Sequence, residues 1–320
     1  KNPMQPLAVT RDDPFYIVLN TRSGTGKAQE CRVQMEEILR AAGQRHEFLL
    51  IEDTKQIEAV AARAAKAAAA NNGAVVVGGG DGTINAVAHA VLETRRPFGI
   101  IPQGTFNYLS RTSATPFAPA AATRARLNAG LGPIQGGALN ERIFLVNASL
   151  GLHPHLLEER EHYTRQYGRR RSVALWASIA TLMKGYRQLV LDIELDQGRE
   201  TVRTPSLFVG NNPLQLERIG LPEAEDVEQH RLAGVTVRPV GTGKLLWLAL
   251  RGALGRLGED DSVRNFSFRR LSVKHIRNAG GRKVKVSTDG EIVWLRTPLT
   301  FSIAPHPLML MVDAVAKPAA

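Results

Sequence analysis

Cysteine is almost missing from this 320-residue chain, and the single residue, Cys31, has no internal partner. A disulfide framework is therefore excluded, and a reducing, cytoplasmic compartment is the expectation. Aromatic residues are scarce at 6%, too few for a surface that stacks single-stranded bases. No hydrophobic run approaches a membrane span. The longest clear one, Val173 to Met183, carries Ser178 and Thr181 and is about half of the ~20 residues a spanning helix needs. Acidic residues are in deficit, with 41 Lys and Arg against 30 Asp and Glu, a net charge of +11. Such a chain attracts phosphorylated ligands, anionic lipid surfaces or nucleic acid. The basic residues are scattered and no nucleic-acid motif is present, so nucleic acid is not an expected partner.

What is present is ordinary globular material: 43% hydrophobic and 22% charged residues, in a length that suits about two domains. The first third alternates strand-like and helix-like segments. Phe15–Leu19, His46–Ile51, Ala74–Val77 and Phe98–Ile101 read as buried strands. Helical patterns lie between them, at about 28–42, 55–71 and 83–92, with Thr54 as the expected cap of the second. This order predicts crossovers and a parallel sheet. Ala129-Gly130-Leu131-Gly132-Pro133 reads as a linker. Beyond it, alternating segments such as 144–150, 189–195, 201–209, 235–240, 266–276 and 283–286 read as antiparallel strands, with helical stretches near 172–189 and 244–257. The expected architecture is an α/β N-terminal domain with a parallel sheet (1–132), followed by a β-rich, antiparallel, sandwich-like C-terminal domain (133–301).

Three loops follow the predicted parallel strands, at the sheet edge where open α/β folds bind ligands. They are Asn20-Thr21-Arg22-Ser23-Gly24-Thr25-Gly26-Lys27, then Gly78-Gly79-Gly80-Asp81-Gly82-Thr83-Ile84-Asn85, then Pro102-Gln103-Gly104-Thr105-Phe106-Asn107. None fits the Walker A or the dinucleotide fingerprint. In the second loop, glycines allow close backbone approach, and the helix start favours phosphate. Asp81 inside an anion loop calls for a divalent cation or a donor between it and a phosphate. The plainer alternative is a tight turn with Asp81 capping the helix.

The pairing of Gly79-Gly80-Asp81-Gly82-Thr83 with Pro102-x-Gly104-Thr105-x-Asn107 resembles the diacylglycerol kinase catalytic domain family. That family includes bacterial lipid kinases, sphingosine kinases and ceramide kinases. The first motif alone is shared with NAD kinases and 6-phosphofructokinases. Asn20 to Lys27 is similar to the family's first loop, with Thr21 replacing Pro. Val146-Asn147-Ala148-Ser149-Leu150-Gly151, Val209-Gly210-Asn211-Asn212 and Asp289-Gly290-Glu291 are similar to later segments.

The resemblance implies an ATP- and Mg²⁺-dependent kinase that transfers the γ-phosphate to a lipid hydroxyl, with nucleotide between two domains. It implies nucleotide contacts from Asn20, Arg22, Ser23 and Gly24, from Gly79 through Asn85, and from Thr54, Gly104, Thr105 and Asn107. It implies Asp289 as general base, and a last segment, from about 302, that returns to the first domain. Asp81 and Glu291 are the acids expected near Mg-nucleotide. By itself, Val286-Ser287-Thr288-Asp289-Gly290-Glu291 reads first as a hairpin with an Asp-Gly turn. Two departures stand out. Tyr108 follows Asn107 where the family often has Asp. Ala233 stands where some members carry a carboxylate for a second, structural Mg²⁺, so that site is not expected.

A lipid kinase must reach a bilayer. Arg165-x-x-x-Arg169-Arg170-Arg171 before Val173–Met183, and the Trp247-containing stretch from Lys244 to Arg256, are each candidates for an anionic membrane surface, or else core-packing helices. Peripheral membrane association follows as an expectation. The rival readings are an NAD kinase-like enzyme and a catalytically silent lipid- or nucleotide-binding protein. His153-x-His155 reads as structural, because no third ligand is apparent.

Overall fold

The computed structural model describes residues 12–21, 28–103, 109, 115–152, 154, 188–195, 198–277 and 283–312, with the side chain of Asp81 outside this set. The chain divides into two compact units, one formed by residues 1–135 with 305–320, the other by 136–304.

The first unit is built on strands β1 (Phe15–Asn20), β2 (His46–Ile51), β3 (Ala74–Gly79) and β4 (Phe98–Pro102), which pair in parallel. β1, β3 and β4 are buried along their whole length. That is why they read as unbroken apolar runs rather than alternating ones. Helix α1 (Ala28–Ala41) buries Cys31, Met35 and Leu39, spaced four apart on one stripe, against Phe15, Ile17 and Leu19. Helix α2 (Ile57–Ala70) turns Ala61, Ala64, Ala65 and Ala68 inward. These small side chains let it lie close to helix α3 (Asp81–Thr94) and to β1.

Helix α4 (Pro119–Leu127) is followed by β5 (Gly130–Ile134). The glycine-rich stretch expected as a linker is therefore a strand. It pairs antiparallel with β18 (Leu308–Val312), which also lies parallel to β4, so the sheet order is β2-β1-β3-β4-β18-β5. Gly132 suits this place, because the side chain of Val312 on β18 crowds the position of a Cβ. The fully buried Arg126 of α4 donates to the carbonyl of Met311, tying the returning strand to the helix.

The second unit is a sandwich of two antiparallel sheets. The first holds β10 (Gly198–Thr204), β9 (Leu189–Leu195), β14 (Arg270–Arg277), β17 (Leu299–Ile303), β6 (Gly137–Leu139) and β7 (Arg142–Phe144), in that order. The second holds β13 (Val263–Phe268), β12 (Leu232–Val237), β11 (Ser206–Gly210), β8 (Asn147–Gly151), β15 (Lys283–Thr288) and β16 (Glu291–Arg296). Leu191, Val273 and Phe301 from one sheet meet Leu150, Val209 and Val286 from the other in one core.

Two expected single strands, 201–209 and 266–276, are each two strands that change sheets, at Pro205 and Arg269. Thr204 is buried at the first corner. Its hydroxyl donates to the Ser206 carbonyl and accepts from the Ser206 and Val237 amides. Helices α5 (Pro213–Ile219), α6 (Ala224–Glu228) and α7 (Thr242–Ala253) bury Leu216, Val227, Leu245 and Leu248 with Ala233 and Val235 of β12. Ala233 is thus a core residue.

Candidate functional site

In the first unit the ends of β1, β2, β3 and β4 lie along one edge of the sheet, because the four strands run parallel in register. Asn20, the last residue of β1, is buried, and its Nδ2 donates to Thr83 Oγ1 at 2.8 Å. This bond joins the strand end to the first turn of α3. The Thr21 hydroxyl and amide both donate to the Ile51 carbonyl at the end of β2, and the Gln103 amide donates to the Gly79 carbonyl at 3.0 Å. The strand ends are thus laced to one another.

The glycines divide by function. A Cβ on Gly79 would lie 2.9 Å from Thr83 Cβ, so the close turn onto α3 requires glycine there. A Cβ on Gly80 or Gly82 would meet nothing within 4 Å. The first helical bond of α3 runs from the Ile84 amide to the Gly80 carbonyl at 3.0 Å. The amides of Asp81, Gly82 and Thr83 therefore have no acceptor within the helix. They lie at a strand–helix junction, where the helix dipole favours negative charge. The backbone of Ile84 and Asn85 continues this first turn.

Thr54 is not a helix cap. The Asp53 side chain accepts from the Lys55 amide at 3.0 Å and caps a short 3₁₀ turn, Thr54–Gln56, ahead of α2. Thr54 is exposed, just past the end of β2 on the same sheet edge. Arg22, Ser23, Gly24, Gly104, Thr105 and Asn107 lie outside the described residues, as do Tyr108, the pair His153 and His155, and the basic segment 165–183. Cys31 lies in the core. Burial pushes its thiol pKa up, and Gln103 Nε2 donates to its sulfur at 3.5 Å. That environment disfavours the thiolate.

In the second unit, Asp289 and Gly290 form the two-residue turn between β15 and β16, with φ of +49° and +88°. Both residues occupy the left-handed region, as this hairpin type requires. The carboxylate is not simply displayed at the tip. Oδ2 accepts from the Leu145 amide at 2.7 Å, and Oδ1 accepts from the amides of Val146 at 2.8 Å and Asn147 at 3.0 Å. The Asp289 amide in turn donates to the Asn147 carbonyl at 2.8 Å.

The same three-residue segment is held from its other side. Asn211 Nδ2 donates to the Leu145 carbonyl at 2.9 Å, and the Asn211 amide donates to the Val146 carbonyl. Asn212 caps α5 by accepting from the Gln215 amide, and Asn147 Nδ2 donates to Gln215 Oε1 at 3.1 Å. Asn147, Asn211 and Gln215 therefore surround the strand entry that Asp289 clamps. The resemblance singled out the segments that hold Asn147, Asn211 and Asn212 without giving these residues a role, and Gln215 was missed, although Asn212-Pro213 is a cap followed by proline at the first helical position. Glu291 opens β16 and is exposed. No group of three or more His, Cys, Asp or Glu side chains converges among the described residues.

Residues 14–138 match the family model described as the diacylglycerol kinase catalytic domain. The chain is similar in fold to a diacylglycerol kinase from Bacillus anthracis str. Sterne, with TM-score 0.68 and 19% identity over 96% of this chain and 98% of that one. It is also similar to a second Bacillus anthracis str. Sterne protein, whose diacylglycerol kinase assignment is itself provisional. There the TM-score is 0.70 with 21% identity, over 96% of this chain and 99% of that one.

An α/β unit with an anion-favouring turn, followed by an antiparallel sandwich, is thus the two-domain fold of the diacylglycerol kinase-like proteins. The match to the catalytic domain model, over residues 14–138, lies almost entirely within the first of these two units.

Proposed function

We propose that the protein is a lipid kinase that moves the γ-phosphate of ATP to the hydroxyl of a lipid acceptor. The observation that carries this reading is the N-terminus of α3. Its first three amides have no acceptor within the helix, and the Cβ positions of Gly80 and Gly82 beside them are open, within the segment that matches the kinase family model.

Those amides, from Asp81, Gly82 and Thr83, are the groups assigned to nucleotide phosphates. Asn20 holds Thr83 in place for this by its 2.8 Å bond. Thr54, Arg22, Ser23, Gly24, Gly104, Thr105 and Asn107 are the further nucleotide contacts in this reading. Mg²⁺ suits such a site because it keeps several waters and rides on phosphate oxygens, so it needs few protein ligands. Asp81 and Glu291 are the acids assigned to it. When bound, the ion supplies positive charge against the transferring phosphoryl group.

Asp289 is the group assigned to accept the proton of the acceptor hydroxyl. Its three amide donors fix the carboxylate in one orientation, which suits a base that must meet a hydroxyl in a defined pose. Incubation with γ-labelled ATP, Mg²⁺ and detergent-dispersed diacylglycerol, phosphatidylglycerol, sphingoid bases and NAD tests the assignment. Label in a lipid supports it. Label only in NAD establishes the NAD kinase alternative, and binding without transfer establishes a silent binding protein.

A further inference from the structure

The outward face of α7 is apolar, which inverts the usual pattern of a surface helix. Its inward face, Leu245 and Leu248, is buried against Leu216, Val227, Val235 and Val263. The opposite face carries Trp247, Leu250 and Leu254, at 49%, 50% and 65% exposure. Their spacings of three and four place them on one stripe over two turns. Single exposed leucines are common on surfaces, but a stripe of three large apolar side chains on one helix is a patch. α5, which packs against α7, adds the exposed Leu214.

From Arg238 to Leu257 the chain has four basic residues, Arg238, Lys244, Arg251 and Arg256, and no acidic one. Acids next to the helix, Asp260 and Glu259, pair with two of its bases, which leaves Arg238 and Arg256 as the basic residues of this stretch outside such pairs. Lys244 and Arg251 fall beside the stripe, one turn pair apart, and their heads reach Asp260 at 2.7 Å and Glu259 at 2.8 Å. These pairs anchor the helix to the turn that follows it. The Lys244 ammonium and the Ser262 amide hold the Asp260 carboxyl down at about 2. Arg238 and Arg256 are exposed at the two ends of the helix.

We infer that α7 docks on an anionic lipid surface, with Trp247, Leu250 and Leu254 entering the headgroup boundary and the arginines facing anionic headgroups. The proposal rests on the lipid-kinase reading for its purpose, since the acceptor must be taken from a bilayer. Its physical basis is separate. A helix face that exposes Trp and Leu, with bases at its ends, is the pattern of interfacial helices. Among the described residues no helix is long and apolar enough to cross a membrane, so this contact is one that lies on the surface.

The test is flotation of the full chain with vesicles of phosphatidylcholine and phosphatidylglycerol, and with vesicles of phosphatidylcholine alone. Wild type is expected to float with the anionic vesicles, and about tenfold or more less with the neutral ones, from the loss of headgroup charge at the arginines. The double variant Leu250→Glu/Leu254→Glu is expected to lose anionic binding by about tenfold or more, with an unchanged thermal midpoint. Trp247→Ala is the milder second variant and should fall between.

Three results would overturn the proposal: wild type that does not float, variants that float as wild type does, or equal flotation with both vesicle types. A fourth is a wild-type dimer that the double variant dissociates while neither binds vesicles, which would make this face a subunit interface. Phosphorylation of detergent-dispersed lipid is scored separately. Flotation without any phosphoryl transfer would defeat the kinase reading and leave the docking face standing.

Discussion

The side chain of Asn20 donates to the hydroxyl of Thr83 across 63 positions of sequence, at 2.8 Å and away from solvent. One residue ends the first strand, and the other sits in the first turn of α3. The bond therefore fixes the angle at which the open amides of α3 leave the sheet.

Removing either side chain takes a buried hydrogen bond from the other. Asn20→Ala and Thr83→Val are each expected to cost about 1–3 kcal/mol in denaturant unfolding. Because the residues touch, the double variant should cost less than the sum, with a coupling of roughly 0.5 kcal/mol or more. Additive losses would show that the bond does not hold the turn. Nucleotide affinity, read by titration calorimetry, should fall in the same variants.

Gly79 and Gly80 should respond oppositely to the same change. Gly79→Ala drives a methyl into Thr83 and is expected to destabilise by about 1–3 kcal/mol. Gly80 has extended backbone, with φ −89° and ψ 179°, and open space at its Cβ position. Gly80→Ala should leave the thermal midpoint unchanged or slightly raised, while the new methyl occupies the space assigned to phosphate. Weakened nucleotide binding in a fully stable Gly80→Ala protein is the expected outcome.

Glu223 is buried beside α6. Oε1 accepts from Asn265 Nδ2 at 2.5 Å, and Oε2 has no partner. Burial raises its pKa above the usual carboxylate range. The folded state therefore binds this proton more tightly than the unfolded chain, so its contribution to stability declines as pH rises through and above that range. Glu223→Gln should remove that decline. Thermal midpoints measured across the carboxylate and neutral ranges should converge at low pH and favour the variant at neutral pH.

Asp289 carries a structural task whatever its chemistry. In Asp289→Asn the amide oxygen can still serve the Val146 and Asn147 amides, but the Leu145 amide, now bonded to Oδ2 at 2.7 Å, loses its acceptor. The expected loss is about 1–3 kcal/mol, and Asn tolerates the positive φ of the turn. Asp289→Ala loses all three bonds and should unfold at a clearly lower denaturant concentration than the Asn variant.

Much of the first unit was legible because burial on both faces writes its strands as plain apolar runs, as in Val75-Val76-Val77. The second unit was harder. Alternation continues straight through Pro205 and Arg269, so periodicity alone could not show that the chain changes sheets there. Gly130-Leu131-Gly132-Pro133 carries the composition of a linker. It is a strand because β18, nearly 180 residues later, supplies its partner. At the site, the glycine turn was visible as a motif, and the Asp-Gly hairpin as a turn. The clamp of Asp289 was not, because its donors lie 142–144 residues earlier and are backbone groups, which sequence does not label.

The measurement that bears most directly on the central claim is transfer of label from γ-labelled ATP to a lipid, comparing wild type with Asp289→Asn under conditions where both are folded. The account predicts labelled lipid from wild type and a rate lower by about a hundredfold or more in the variant. Unlabelled lipid across the whole panel, or an Asp289→Asn protein that transfers phosphate at the wild-type rate, would contradict it.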